Sequence, residues 1–108
     1  MKRMTVLLMS LLTVCCVASI AVAEKASKDT GEAEFKEHCA LCHPDGGNIV
    51  NPQKTLHKKD RETNNVRNEA DIIKTMRKPG PGMTTFDEKT LSDSEAKEIA
   101  KYILKTFK

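Results

Sequence analysis

The sequence predicts an all-α domain of three main helices and one short helix. Three observations predict it. Residues 68–78 and 92–107 each join a polar cap to apolar residues at helical spacing. Asp29, with Glu32 three positions on, opens a third such segment. No stretch alternates apolar and polar residues over the length of a strand, and no internal repeat is visible.

The first 23 of the 108 residues read as a secretory leader and are set apart from the fold. Lys2 and Arg3 form its positive start, residues 5–20 its apolar run, and Ala21-Val22-Ala23 the small-x-small site ahead of Glu24. The run is short for a membrane span. Cys15 and Cys16 lie inside it and raise the alternative of a lipoprotein signal, in which a cysteine at the cut is acylated. Cleavage after Ala23 is the simpler reading, since Val14 before Cys15 is a poor lipoprotein site. The domain is then residues 24–108. Membrane contact is expected only through a lipid near the N-terminus.

Within the domain, residues 24–28 are polar and expected to fray. The first helix starts after Asp29, carries Ala33, Phe35, Cys39 and Cys42 on its apolar face, and stops at Pro44 and Gly46-Gly47. A turn-rich link with Asn51-Pro52 leads to a short polar helix over residues 56–62. Asn68 caps the next helix, Glu69 and Asp71 suit its positive end, and Ile72, Ile73 and Met76 form its inner stripe. Pro79 halts it. A loop rich in glycine and proline, Lys78 to Phe86, precedes the last helix. There Ser92 and Glu95 make a capping box, and Ala96, Ile99, Ala100, Ile103 and Phe107 recur at helical spacing.

The domain holds only four aromatic residues, Phe35, Phe86, Tyr102 and Phe107, and no tryptophan. Something besides aromatic side chains fills its middle. The formal charge of +3 falls to +1 once Lys2 and Arg3 leave with the leader, so no basic stripe argues for nucleic acid.

Cys39 and Cys42 are the only cysteines of the domain, and His43 follows directly. Three chemistries compete for them. A redox dithiol wants its pair at the start of a helix that follows a strand, and neither condition is met. A structural zinc ion needs four ligands, and His57 is the one plausible ligand downstream. The third chemistry uses every residue. Cys39-Ala40-Leu41-Cys42-His43 is the C-x-x-C-H signature of one covalent haem c. Both thiols add across the haem vinyls, the two-residue spacing fits the distance between them, and His43 reaches the iron.

A sixth ligand comes from Met76, Met83, His38 or His57. Met83 is preferred, because its glycine-proline loop lets a backbone approach a flat macrocycle. Its thioether is soft, neutral and suited to both iron states. Met76 lies on a core stripe, and His57 on a polar helix.

These residues resemble class I cytochromes c. Residues 39–58, CALCHPDGGNIVNPQKTLHK, are similar to cytochrome c6 and to small envelope cytochromes of metal-reducing bacteria. The resemblance spans residues 29–108. It implies a cytochrome c fold around the haem, with Gly31 and Phe35 packed on Tyr102. It implies that the Pro52 carbonyl accepts the Nδ1–H of His43. It also implies an electron carrier of the periplasm or outer membrane, not an enzyme, that docks transiently with redox proteins at an exposed haem edge. Residues 39–50 and 80–86 rim that edge. Thr84 stands where the family has a proline after the methionine. The rival reading is a haem protein with an open or labile sixth site, a gas sensor or small peroxidase.

Overall fold

A computed structural model describes residues 23–108, with side chains from Thr30 onward. Four helices follow in order: α1 (Ala23–His38), α2 (Lys58–Thr63), α3 (Glu69–Arg77) and α4 (Asp93–Thr106). A single 3-10 turn, Pro44–Gly46, lies between α1 and α2. No strand occurs among the described residues. Of the leader expected over residues 1–23, residues 1–22, with Cys15 and Cys16, lie outside them, and its last residue, Ala23, is the first described residue of α1.

Helix α1 corrects the sequence expectation at both ends. It begins at Ala23, so Asp29 lies inside the helix rather than capping it. Alanine, glutamate and lysine, all good helix formers, dominate its first described turns. It ends at His38, so the cysteines lie beyond it. There the Phe35 carbonyl accepts from Cys39 N–H at 2.8 Å and from Ala40 N–H at 2.9 Å. The second, wider closure unwinds the helix into a turn. Ala33, expected on the apolar face, is exposed.

The crossing of α1 with α4 organises the domain. A Cβ on Gly31 would stand 2.4 Å from the Glu98 carbonyl oxygen and 3.3 Å from Tyr102 Cβ. The missing side chain lets the two backbones touch. The Phe35 ring centre lies 5.2 Å from that of Tyr102 and 5.4 Å from that of Phe107. This is the contact that the family resemblance implies.

Helix α4 buries its predicted stripe: Ala96, Ile99 and Ala100 are fully enclosed, and Ile103 nearly so. Its start is a reciprocal capping box in which Ser92 Oγ accepts from Glu95 N–H and Glu95 accepts from Ser92 N–H. Helix α3 begins the same way with Asn68 and Asp71, and turns Ile72 and Met76 onto α4. Leu91 plugs the end of the core between them.

Helix α2 is displaced from the predicted residues 56–62 to Lys58–Thr63, with His57 in the capping position. The cause is long-range. Leu56 N–H donates to the Gly46 carbonyl at 2.7 Å, which ties that residue to the turn after α1. Arg61 is the buried residue of α2.

Candidate functional site

A cavity of about 530 Å³ lies between the turn after α1, helices α2 and α3, and the loop that leads into α4. That is the size of a small-molecule or cofactor site. Its inner wall is apolar and includes Leu56, Ile72, Met76 and Ile103. Cys39, Cys42, His43 and Met83 all reach the same space. The four residues singled out from the sequence are therefore brought together.

The backbone of the C-x-x-C-H segment is locked by its own turns. Cys42 N–H and His43 N–H both donate to the Cys39 carbonyl, at 3.1 and 2.9 Å. Asp45 and Gly46 then take left-handed conformations, with φ of 52° and 76°. This reverses the chain so that the Gly47 carbonyl faces back onto His43. Gly46 is required there, since a Cβ would stand 2.4 Å from the Phe107 ring.

His43 is 8% exposed, and its Nδ1 lies 2.7 Å from the Gly47 carbonyl oxygen. A carbonyl only accepts, so Nδ1 carries the proton and Nε2 keeps a free lone pair. The acceptor corrects the expectation of Pro52. Pro52 is exposed, and the left-handed pair at residues 45–46 delivers Gly47 instead.

Both thiols are free; Cys39 is half-buried and Cys42 exposed. Burial, and then the neighbouring Cys42, pushes the Cys39 thiol up to about 11. The pair follows α1 instead of opening a helix whose dipole would lower a thiol pKa, so the placement a redox dithiol needs is missing. Zinc does not fit either. Among the described residues, the cluster with metal-ligating spacing is Glu34, Glu37 and His38, which contains neither cysteine. A paired thiol, an imidazole with a free Nε2, a thioether and an apolar wall are the donor set of a c-type haem.

Met83 is half-buried in a turn whose closing bond runs from its N–H to the Gly80 carbonyl at 3.4 Å. Gly82 has a φ of 89°, and its missing Cβ would stand 2.8 Å from Val50 Cγ1. The methionine loop thus meets residue 50 at the rim. Met76 borders the cavity but is 4% exposed within the core. His38 also borders it, with its Nε2 3.4 Å from Glu34. His57 is exposed and stacks edgewise on Phe107 at 5.8 Å, away from the cavity lining.

Sequence reasoning missed Arg77. Its Nη1 donates to the Phe86 carbonyl at 2.9 Å and to the Leu91 carbonyl at 2.8 Å, while Nη2 meets Asp93 at 2.7 Å. Phe86 N–H donates in turn to the Met76 carbonyl at 2.9 Å. The far end of the methionine loop is therefore stapled to α3. The only local signal is a basic residue in the last turn of a helix. Replacing Arg77 with alanine leaves two carbonyls without their donor. The expected cost is about 2–3 kcal/mol of stability, read by urea unfolding, with faster amide exchange at Phe86. A change within about 0.5 kcal/mol would mean that the staple is idle.

A family model described as "Cytochrome C oxidase, cbb3-type, subunit III" matches residues 26–103. Cytochrome c6 of Cyanidium caldarium is 35% identical over 83 residues, which cover 77% of this chain and 74% of that protein. The outer membrane cytochrome OmcF of Geobacter sulfurreducens is similar in structure. Its TM-score is 0.70 at 42% identity, over 72% of this chain and 99% of that one. Cytochrome c6C of Synechococcus sp. PCC 7002 superposes with a TM-score of 0.68 at 30% identity, over 73% of this chain and 95% of that one. Among the described residues no helix is long and apolar enough to cross a membrane.

Proposed function

Given that the chain belongs to the cytochrome c6-like class I monohaem cytochromes, electron-transport proteins with covalent haem c, we propose a one-electron carrier of the periplasm or outer envelope. In this reading Cys39 and Cys42 would hold the haem through thioethers, and His43 and Met83 would supply the protein ligands to its iron. Bound there, the haem supplies reversible exchange of one electron between Fe(III) and Fe(II).

The observation that carries the reading is the His43–Gly47 hydrogen bond beside two free thiols on one apolar cavity. The Gly47 carbonyl fixes the tautomer and the ring plane, so Nε2 is presented without rearrangement. Met83 offers a neutral sulfur that raises the reduction potential relative to a second histidine. Leu56, Ile72 and Ile103 exclude water and keep the local dielectric low. Among the described residues, Leu41, Ile49 and Val50 are the large apolar ones left exposed, at 86%, 63% and 58%. They stand in the segment expected to rim the haem edge and suit brief docking of a redox protein, with charged residues as the salt-sensitive periphery. The leader over residues 1–23 delivers the chain across the inner membrane. Attachment to a membrane would instead require a lipoprotein cut at Cys15 or Cys16, with that cysteine acylated and kept.

The test is spectroscopic. Oxidised protein is expected to show the far-red methionine–iron charge-transfer band, and reduced protein to take up carbon monoxide only slowly. Met83→Ala is expected to abolish the band and open the iron to rapid carbon monoxide binding. A wild-type protein without the band that binds the gas at once would instead be the open-site haem protein.

A further inference from the structure

Arg61 is a buried cation at the wall of the cavity. It is 5% exposed, sits on the inner side of α2 and borders the same space as His43 and Met83. Its Nε donates to the Leu56 carbonyl at 2.7 Å, and Nη2 to the Phe107 carbonyl at 3.4 Å. Both partners are neutral. None of the ion pairs among the described residues includes Arg61. A guanidinium has five N–H donors, so most of its capacity is left for another acceptor. Tying down two carbonyls needs donors but no charge. A buried charge without a counter-charge is costly, and chains rarely keep one unless something negative meets it.

Besides Arg61, the charged residues bordering the cavity are Asp60, Lys54 and Lys78, and the titratable ones, besides Cys39 and Cys42, are His38 and His43. Asp60, the preceding residue on α2, also borders the cavity and accepts the Thr55 hydroxyl. Lys54 reaches the same space from the preceding loop and is exposed. Helix α3 contributes Ile72 and Met76 to this wall, and α4 contributes Ile103. His57 is exposed and faces Phe107. The anion is therefore supplied by the cavity's occupant. Haem c carries two propionate carboxylates, and guanidinium is the side chain best matched to a carboxylate fork. We propose that Arg61 binds a haem propionate as its buried counter-ion. Arg61 then offsets the repulsion between that carboxylate and Asp60. This rests on the reading that haem is attached at Cys39 and Cys42.

The test follows the sign of the charge. A guanidinium beside a propionate lowers the propionate pKa, so removing it raises that pKa. Reduction adds negative charge at the iron, so the propionate pKa is higher in the reduced than in the oxidised protein. The potential therefore falls with rising pH between those two values. Arg61→Gln keeps amide donors for the two carbonyls and removes the charge. At pH values below or above both windows, where the propionate has the same protonation in wild type and variant, it is expected to lower the potential, because the oxidised form no longer faces a nearby cation. It is also expected to move the pH-dependent window upward by about one unit or more. Arg61→Lys keeps the charge without the fork and should shift the window in the same direction by less than half as much.

Redox titration across pH, with carboxylate bands followed in oxidised-minus-reduced infrared spectra, reads both effects on the haem-loaded full chain. Urea unfolding of the same samples reports any loss of the carbonyl contacts. Wild-type pH profiles and carboxylate bands in both variants, whatever their stability, would overturn the proposal. Should Arg61→Gln fail to mature, the Arg61→Lys profile decides alone. Haem staining of the denatured samples separates the two layers: unstained wild-type protein would bring down the attachment itself, whereas stained protein with unmoved profiles refutes Arg61 only.

Discussion

Replacing Cys39 and Cys42 together with alanine is expected to give a chain with no retained pigment and little helix. The reason is the size of the cavity relative to the core. The fully enclosed apolar residues are few, chiefly Leu91, Ala96, Ile99 and Ala100, and two of these are alanines. At about 24 cal/mol per Å³, a dry cavity of about 530 Å³ corresponds to about 13 kcal/mol. The mouth is open to solvent, so this is an upper bound. It still matches the whole stability of a small domain, about 5–15 kcal/mol. Without thioethers the haem is held only by ligation and burial, and it leaves when the chain opens. Far-ultraviolet circular dichroism and pigment retention after denaturing electrophoresis check this. Native helix content in the purified double variant would show that the side-chain core suffices alone.

Gly31→Ala is the second large effect, and its sign is informative. In an exposed helix this change stabilises by about 1 kcal/mol, because alanine is the better helix former. At Gly31 the new methyl would stand 2.4 Å from the Glu98 carbonyl oxygen, which belongs to backbone and cannot rotate away. Helices α1 and α4 must separate, and the ring cluster of Phe35, Tyr102 and Phe107 loosens with them. A net loss of about 2–3 kcal/mol is expected in urea unfolding of the oxidised protein. A gain in stability would contradict the close helix crossing.

The first variant tests a motif that is read directly from the residues, the second a contact that only the family resemblance implies. Gly31, Phe35 and Tyr102 meet as that resemblance implies. The capping boxes at Asn68 and Ser92 mark the starts of α3 and α4 because each is complete within four residues. The C-x-x-C-H segment and Met83 fall on one cavity because short spacing and a glycine-proline loop are local signals.

What was not legible depends on distant partners. The end of α1 is set by a shared Phe35 carbonyl, which no side-chain pattern announces. The register of α2 follows from Leu56 bonding to Gly46. The acceptor for His43 is decided by two left-handed residues, one of them the non-glycine Asp45. Arg77 finds carbonyls 9 and 14 residues away, and Arg61 finds one 46 residues away. Guanidinium-to-carbonyl bonds have no sequence periodicity, so both arginines read as surface charges until the fold places them.

The central claim, a haem joined to the chain at Cys39 and Cys42, is tested most directly by peptide mass. Trypsin cuts after Lys36 and Lys54, so both cysteines fall in the single peptide of residues 37–54. Denatured, alkylated native protein is expected to yield that peptide heavier by one haem, with neither cysteine alkylated. The same peptide at its bare mass plus two alkyl groups, with the pigment gone into acidified solvent, would contradict the claim.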